Sequence, residues 1–127
     1  MFEKLELIQM AQSLAAQSGA RMAVIAENVA NADTPGYKAK DLPSFAETYA
    51  ADPALMRATR PGHLTGSSTT TTPMPERSRG HESPNGNSVS LEAEMVKSVE
   101  ARQNHDMALA IYRATSDVIR ASLGRNR

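Results

Sequence analysis

The chain has 127 residues, and its 14 Lys or Arg are balanced by 14 Asp or Glu, so the formal net charge is zero. A neutral chain lacks the cationic surface on which phosphate binding depends, which weighs against a nucleic-acid-binding function. The absence of Cys excludes disulfides, thiolate metal sites and a cysteine nucleophile. The first residues show no basic segment followed by an apolar one, so we expect no cleaved secretory signal.

Proline divides the chain into three parts. All seven prolines lie between Pro35 and Pro84, and residues 1–34 and 89–127 contain none. Because proline breaks a helix interior, the two ends can form long helices and the middle cannot. The predicted fold class is therefore all-α, with an N-terminal helical part at 1–34, a middle segment at 35–88 and a C-terminal helical part at 89–127.

The N-terminal part repeats small and apolar residues every seven positions. Such a repeat is typical of the narrow contact seam of a coiled coil. We predict a helix over about 3–32 that lies antiparallel to a second helix over about 90–123, in a coiled-coil-like pair. The residues expected on the buried seam of this helix are Ile8, Met22, Ile25 and Val29.

A strong stop signal ends this first helix. Thr34 precedes Pro35 and is therefore biased away from helical backbone angles. The Pro35-Gly36 pair suits the centre of a type II turn, in which Gly36 takes a positive φ. Asn28 and Asn31 are placed where their side chains can bond the last free carbonyls of the helix.

The middle segment is poor in residues that form regular structure. It contains no Val and no Ile, and a Thr/Ser run at 65–72 is followed by a Pro-Met-Pro sequence. We expect an extended, partly disordered segment, with the disorder at about 65–88 in the isolated chain. A short helix is predicted within 45–60, broken at Pro53.

The C-terminal helix carries two apolar stripes on opposed faces. One partner helix cannot cover both stripes, and the chain offers only one other long helix. The second face therefore needs another molecule, and we predict a protein that works as part of a larger assembly. The first stripe comprises Leu109, Tyr112, Ser116, Ile119 and Leu123, and the second comprises Met107, Ile111, Ala114, Val118 and Ala121.

No pattern in the sequence indicates an enzyme, a metal site or a cofactor site. His63 and His81 have no second ligand at metal spacing, and neither a phosphate-binding glycine loop nor a nucleophile elbow is present. Glu92, Glu94 and Glu100 are interpreted as the solvated face of the second helix rather than as an acid–base pair, and Glu92 and Glu94 lie near its positive end. We expect no catalytic residue, no metal, no cofactor and no small-molecule substrate.

One local sequence resembles the N-terminal signature of the bacterial flagellar rod and hook protein family. It runs Asn-Val-Ala-Asn-Ala-Asp-Thr-Pro-Gly-Tyr-Lys over 28–38. Residues 86–95 are similar to the start of the last helix in the proximal-rod branch, and residues 60–64 match a family stretch more loosely. The Tyr-x-Ala-Asn sequence usual in the sister rod subunits is missing, which favours the proximal branch. The residues that match the signature are Asn28, Asn31, Thr34, Pro35, Gly36 and Tyr37.

The resemblance implies a structural role in motility. Subunits of this family pack paired terminal helices into the rod of the flagellar basal body, a hollow shaft that crosses the periplasm, transmits torque and allows export through it. The resemblance also implies type III export without a cleaved signal. The implied partners are further copies of this chain, other rod subunits, and export-gate and membrane-ring components at the rod base. The alternative is a soluble helical chaperone or adaptor of a secretion system, which would not need the block at 28–37.

Overall fold

The computed structural model of the chain describes residues 2–50, 73–78 and 82–124. The chain is mostly helical, and two long helices pack together. None of the helices in the described part is long and apolar enough to cross a membrane. In chain order the elements are helix α1 (Phe2–Ala30), strand β1 (Lys40–Asp41), helix α2 (Phe45–Ala50), strand β2 (Glu76–Arg77) and helix α3 (Leu91–Gly124).

Helices α1 and α3 run in opposite directions. Near the end of α1, Asn28 Nδ2 donates to Glu94 Oε2, at the start of α3, over 3.0 Å. Two turns earlier in α1, Arg21 lies 3.8 Å from Glu100, which is further along α3. The buried residues that recur at seven-residue intervals are mostly small, which favours a close approach of the two backbones. They are Ala11, Ser18 and Ile25 on α1, and Glu94, Ala101, Ala108 and Thr115 on α3.

The buried face of α1 is rotated away from part of the predicted seam. Ile25 is buried and Ile8 and Met22 are half-buried, but Val29 is 43% exposed, so its predicted burial is wrong. The cause is a second buried stripe on the side of α1 away from Val29. This stripe contains Gln17, Val24 and Asn28, and it contacts the chain that returns along the helix after the turn.

The returning chain, residues 37–43, packs against α1. Ala39 and Leu42 are buried in this contact. Strands β1 and β2 pair antiparallel in a two-stranded sheet, with Lys40 opposite Arg77. The middle segment therefore adds a small layer to one side of the helix pair, which the lack of Val and Ile did not indicate.

The prediction of disorder over 65–88 is wrong for residues 73–78 and 82–88. These residues pair with β1 or with the end of α1, and Asn87 and Ser88 are buried. Residues 65–72 and 79–81 lie outside the described residues, so that part of the prediction stays a prediction.

The predicted short helix in the middle segment is confirmed by α2, which begins at Phe45. A reciprocal pair of hydrogen bonds caps it: the Ser44 N–H donates to Glu47 Oε2 at 3.0 Å, and the Glu47 N–H donates to Ser44 Oγ at 3.4 Å. This is the capping box that starts many helices. The predicted break at Pro53 and the loose family match at 60–64 lie outside the described residues.

Two glycines should respond to substitution with opposite signs. Gly86 has φ 80°, and a Cβ placed there would lie 3.4 Å from the Cα of Gly36. We expect Gly86→Ala to lower the free energy of unfolding by about 1–2 kcal/mol, because an L side chain is strained at this φ. Gly19 lies inside α1 with no atom within 4 Å of an added Cβ, and Gly19→Ala is expected to raise the same quantity by about 0.5–1 kcal/mol. Urea unfolding followed by circular dichroism measures the free energy of unfolding of both variants. Changes of the same sign would contradict the different backbone roles given to Gly86 and Gly19.

Candidate functional site at the helix ends

The side chain of Asn28 joins three segments of the chain. It is fully buried, with 0% exposure, in the last turns of α1. Its Nδ2 donates to the Lys40 carbonyl at 2.7 Å and to Glu94 Oε2 at 3.0 Å. Its Oδ1 accepts from the Lys40 N–H at 3.0 Å and lies 3.3 Å from the Tyr37 hydroxyl. Both amide hydrogens and the carbonyl oxygen are therefore used, and α1, the returning chain and α3 are tied at one point.

The carbonyls at the end of α1 are bonded by Asn87, from the loop before α3. Its Oδ1 also accepts from the Val89 N–H at 2.8 Å, just before the first turn of α3. Asn87 is 2% exposed, so these bonds are shielded from water. One amide thus caps the first helix and braces the entry to the second. Its Nδ2 lies 3.0, 2.7 and 2.9 Å from the carbonyl oxygens of Asn31, Ala32 and Thr34.

The two asparagines of the signature have different roles. Asn31 Nδ2 donates to the Glu27 carbonyl at 2.8 Å, as predicted for a helix end. The same prediction is wrong for Asn28, because its side chain points away from its own helix end, toward the segments packed on α1. Sequence reasoning missed Asn87, although two features were a signal for it. It follows a turn-forming glycine, and it lies three residues before Ser90, whose Oγ accepts from the Ala93 N–H at the start of α3.

The predicted turn after α1 is confirmed. Gly36 has φ 74°, and the Tyr37 N–H donates to the Thr34 carbonyl at 3.3 Å, which closes the turn around Pro35. The Gly36 N–H donates at 3.0 Å to the carbonyl of Asn85, in the loop before α3. The turn at the end of α1 and the loop that leads into α3 are therefore bonded directly to each other.

Beside Asn28 lies a charged cluster that links both helices to the returning chain. Arg21 forms two hydrogen bonds with Asp41: Nε donates to Oδ1 at 3.0 Å, and Nη2 donates to Oδ2 at 3.3 Å. Lys97 Nζ lies 3.2 Å from Asp41 and 3.0 Å from Glu94. Glu94 is only 2% exposed, so its interpretation as a solvated residue is wrong. Its carboxylate is buried because Asn28 and Lys97 supply hydrogen bonds to both oxygens.

Three members of the cluster, Asp41, Arg21 and Lys97, have pKa values shifted toward their charged forms. Burial raises the pKa of Asp41, but the hydrogen bond and the positive charge of Arg21 outweigh it, and the net pKa lies below the ordinary value of 3.8. The hydrogen bond to Asp41 raises the pKa of Arg21. Desolvation lowers the pKa of Lys97, but its bonds to Glu94 and Asp41 leave it raised. These three groups are therefore charged at neutral pH.

The two predicted apolar stripes of α3 are buried to different extents. The side toward α1 centres on the small residues Ala101, Ala108 and Thr115, which lie between the two predicted stripes. In the first stripe Leu109, Ser116 and Ile119 are half-buried, and Tyr112 and Leu123 are exposed. In the second stripe Ile111 is half-buried, Ala114 and Ala121 are exposed, and Met107 and Val118 are each 49% exposed.

Most of the chain is similar in sequence to a known protein. Residues 8–38, which span most of α1 and the turn after it, match the family described as "Flagella basal body rod protein". The flagellar basal body rod protein FlgB of Agrobacterium fabrum is 30% identical over 119 residues, which covers 88% of this chain and 88% of that protein. Within the described part of the chain, no group of His, Asp and Glu side chains is placed to hold a metal ion.

Removal of the Asn87 side chain should weaken the junction strongly. Asn87→Ala removes the hydrogen-bond partner of the Ala32 carbonyl and of the Val89 N–H, while the Asn31 and Thr34 carbonyls keep their backbone donors. We expect the free energy of unfolding to fall by about 2–3 kcal/mol. Asn87→Asp keeps the acceptor for Val89 but faces the carbonyls with a charge, so it should be at least as damaging. Asn31→Ala, which removes an exposed bond, is the control and should cost under about 1 kcal/mol. Urea midpoints of the three variants measure this, and equal values for Asn87→Ala and Asn31→Ala would contradict the assigned role.

Acid should weaken the chain through Asp41. Because the folded-state pKa of Asp41 is lowered, its contribution to stability is fully present above the ordinary value of 3.8 and is lost as the pH falls through the folded-state value. Asp41→Asn lacks this contribution at neutral pH, so it should be less stable there and lose less on acidification. Urea midpoints measured from neutral pH downward give both profiles. If the urea midpoints of the parent and of Asp41→Asn fall in parallel as the pH is lowered, the ionised form of Asp41 does not contribute to stability.

Proposed function

The chain belongs to the flagellar basal body rod protein family and is a structural rod subunit, and on this premise we propose that its exposed helix face is completed by neighbouring rod subunits. Among the described residues, α1 covers one side of α3. The opposite side carries large apolar side chains that the described residues leave exposed. In a rod wall, the helices of adjacent subunits would supply that cover.

The observation that carries the proposal is the exposed apolar surface along α3. Met95, Val99, Met107 and Val118 are 65%, 66%, 49% and 49% exposed. They extend from the first turns of the helix to its last turns, so the exposure is not a frayed end. Apolar surface of this extent marks a site of association with another protein.

We propose a division of labour along the chain. The parts 1–34 and 89–127 serve as rod helices, paired in a coiled-coil-like unit, and 35–88 connects them and braces their ends. The family signature at 28–37 sets the geometry at which the first helix ends. The residues proposed for the assembly faces fall into two groups. Ile8, Met22 and Ile25 are proposed for pairing within the subunit, and the residues proposed for the remaining faces are Val29, Leu109, Tyr112, Ile119, Leu123, Met107, Ile111 and Val118.

The finer placement of the subunit follows from the family resemblance. We propose that it occupies the proximal part of the rod, leaves the cytoplasm by the flagellar type III pathway without cleavage, and contacts export-gate and membrane-ring components at the rod base. The matched family and relative do not favour the alternative of a soluble secretion chaperone. Fractionation tests the placement: the chain should be recovered in purified basal bodies with its N-terminal peptide intact. Recovery in the cytosolic fraction alone would contradict it.

Charged substitutions on the two faces of α3 should distinguish the face that packs within the chain from the face that contacts neighbouring subunits. Val118→Asp lies on the exposed side, so the purified chain should keep its helix content and urea midpoint. We expect this variant to be made and exported but to abolish swimming, because an unpaired charge in an apolar subunit contact costs several kcal/mol. Ile119→Asp lies on the half-buried side and should lower the urea midpoint as well as abolish swimming.

The control is Asp117→Asn, an exposed change on the same turn that should swim nearly normally. Swimming is scored in soft agar in a strain that lacks its own copy of the gene. Normal swimming by Val118→Asp would show that the exposed face stays free, and the proposal would lose its physical basis.

A further inference from the structure

We propose that the polar contacts at the start of α3, centred on the buried side chains of Asn87 and Glu94, select the register in which α3 pairs with α1. The residues on the α3 side are Asn87, Glu94, Lys97 and Glu100, and their partners are the end of α1, Asn28, Asp41 and Arg21. The proposal concerns the single chain, so it stands or falls independently of the proposed function.

The apolar seam by itself does not distinguish the observed register from one displaced by seven residues. A displacement of that size moves α3 by about 10 Å along α1 and returns the same side of the helix to the seam. Ala101 then takes the place of Glu94, Ala108 that of Ala101, and Thr115 that of Ala108. Ala108 and Thr115 replace small residues, so the packing of that part of the seam changes little, whereas Ala101 leaves the space of the larger Glu94 side chain unfilled.

The polar contacts distinguish the two registers sharply. In the displaced register Asn28 would face Ala101 in place of Glu94, and its Nδ2 would lose an acceptor. Arg21 would face Met107 in place of Glu100. Buried polar groups left without partners cost far more than the partnered groups gain, so the displaced register is penalised.

Displacement in the opposite direction is blocked by the end of the helix. It would bring Asn87 to the place of Glu94, but Asn87 lies before α3 and bonds the carbonyls at the end of α1. Moving α3 either way also withdraws Asn87 from those carbonyls. The clamp by Asn87 and the contacts of Glu94, Lys97 and Glu100 therefore favour the same single register.

Contacts of this kind are suited to selection rather than to holding the helices together. Bringing charges out of water offsets much of their mutual attraction, so a buried ion pair adds little net stability. A single buried polar residue can nevertheless fix the register of a coiled coil. Removal of the contacts is therefore expected to leave the helices formed and to permit a second register.

The test measures the distance between two spin labels on the full chain. The chain has no Cys, so Gln12→Cys and Arg102→Cys, both at exposed positions, can be labelled specifically. The displacement moves Arg102 further from Gln12 along the pair, and pulsed electron paramagnetic resonance should report a distance longer by roughly 5–10 Å. The test variant carries Asn87→Ala, Glu94→Ala, Lys97→Ala and Glu100→Ala, and alanine preserves helix propensity.

A matched control removes the same kinds of residue from exposed positions. It carries Asn85→Ala, Asp106→Ala, Arg113→Ala and Asp117→Ala, and it changes the net charge by the same amount. We expect one distance in the parent and the control, and an added longer distance in the test variant with helix content retained. A test variant that keeps the single parental distance would overturn the proposal, as would one that loses its helices or a parent without a defined distance.

Discussion

The architecture depends on the buried side-chain amide of Asn28, whose donor and acceptor atoms must all have hydrogen-bond partners. Asn28 lies where α1, the returning chain and α3 meet, and a buried amide left unpaired there would cost about 1–3 kcal/mol. Its partners are the backbone of Lys40 and the carboxylate of Glu94, so the returning chain must run beside α1 and α3 must begin at this level. Once these positions are set, Lys97 lies within reach of Asp41, and the charged cluster follows.

The small residues of the seam explain why so much apolar surface faces outward. Ala101 and Ala108 let α3 lie close to α1, but small side chains bury little apolar area. The larger side chains, such as Met107 and Val118, are carried on the flank and the outer side of α3. A chain built in this way aligns its own helix pair at the junction and keeps large apolar side chains exposed along α3. That is the expected arrangement for a subunit in the wall of a rod.

The helices and the turn could be predicted from the sequence because their causes are local. Proline confines the long helices to the ends of the chain. The turn after α1 is specified by the backbone angles that Pro35 and Gly36 adopt. The site depended on contacts that no local pattern encodes: Asn28 and Glu94 are 66 positions apart, and Asn87 reaches a helix end 55 positions earlier. Val29 was misplaced for the same reason, because the returning chain adds a second buried stripe to α1, on the side away from Val29, that the seven-residue repeat does not encode.

In the assembled rod we expect α3 to have one side covered within its own chain and the other covered by neighbouring subunits. A reconstruction of the intact basal body at side-chain resolution shows both sides of this helix at once. We expect Asn28 to contact Glu94 within each subunit, and Met107 and Val118 to be buried against helices of adjacent subunits. A rod in which Met107 and Val118 face solvent would show that neighbouring subunits do not cover this side of α3.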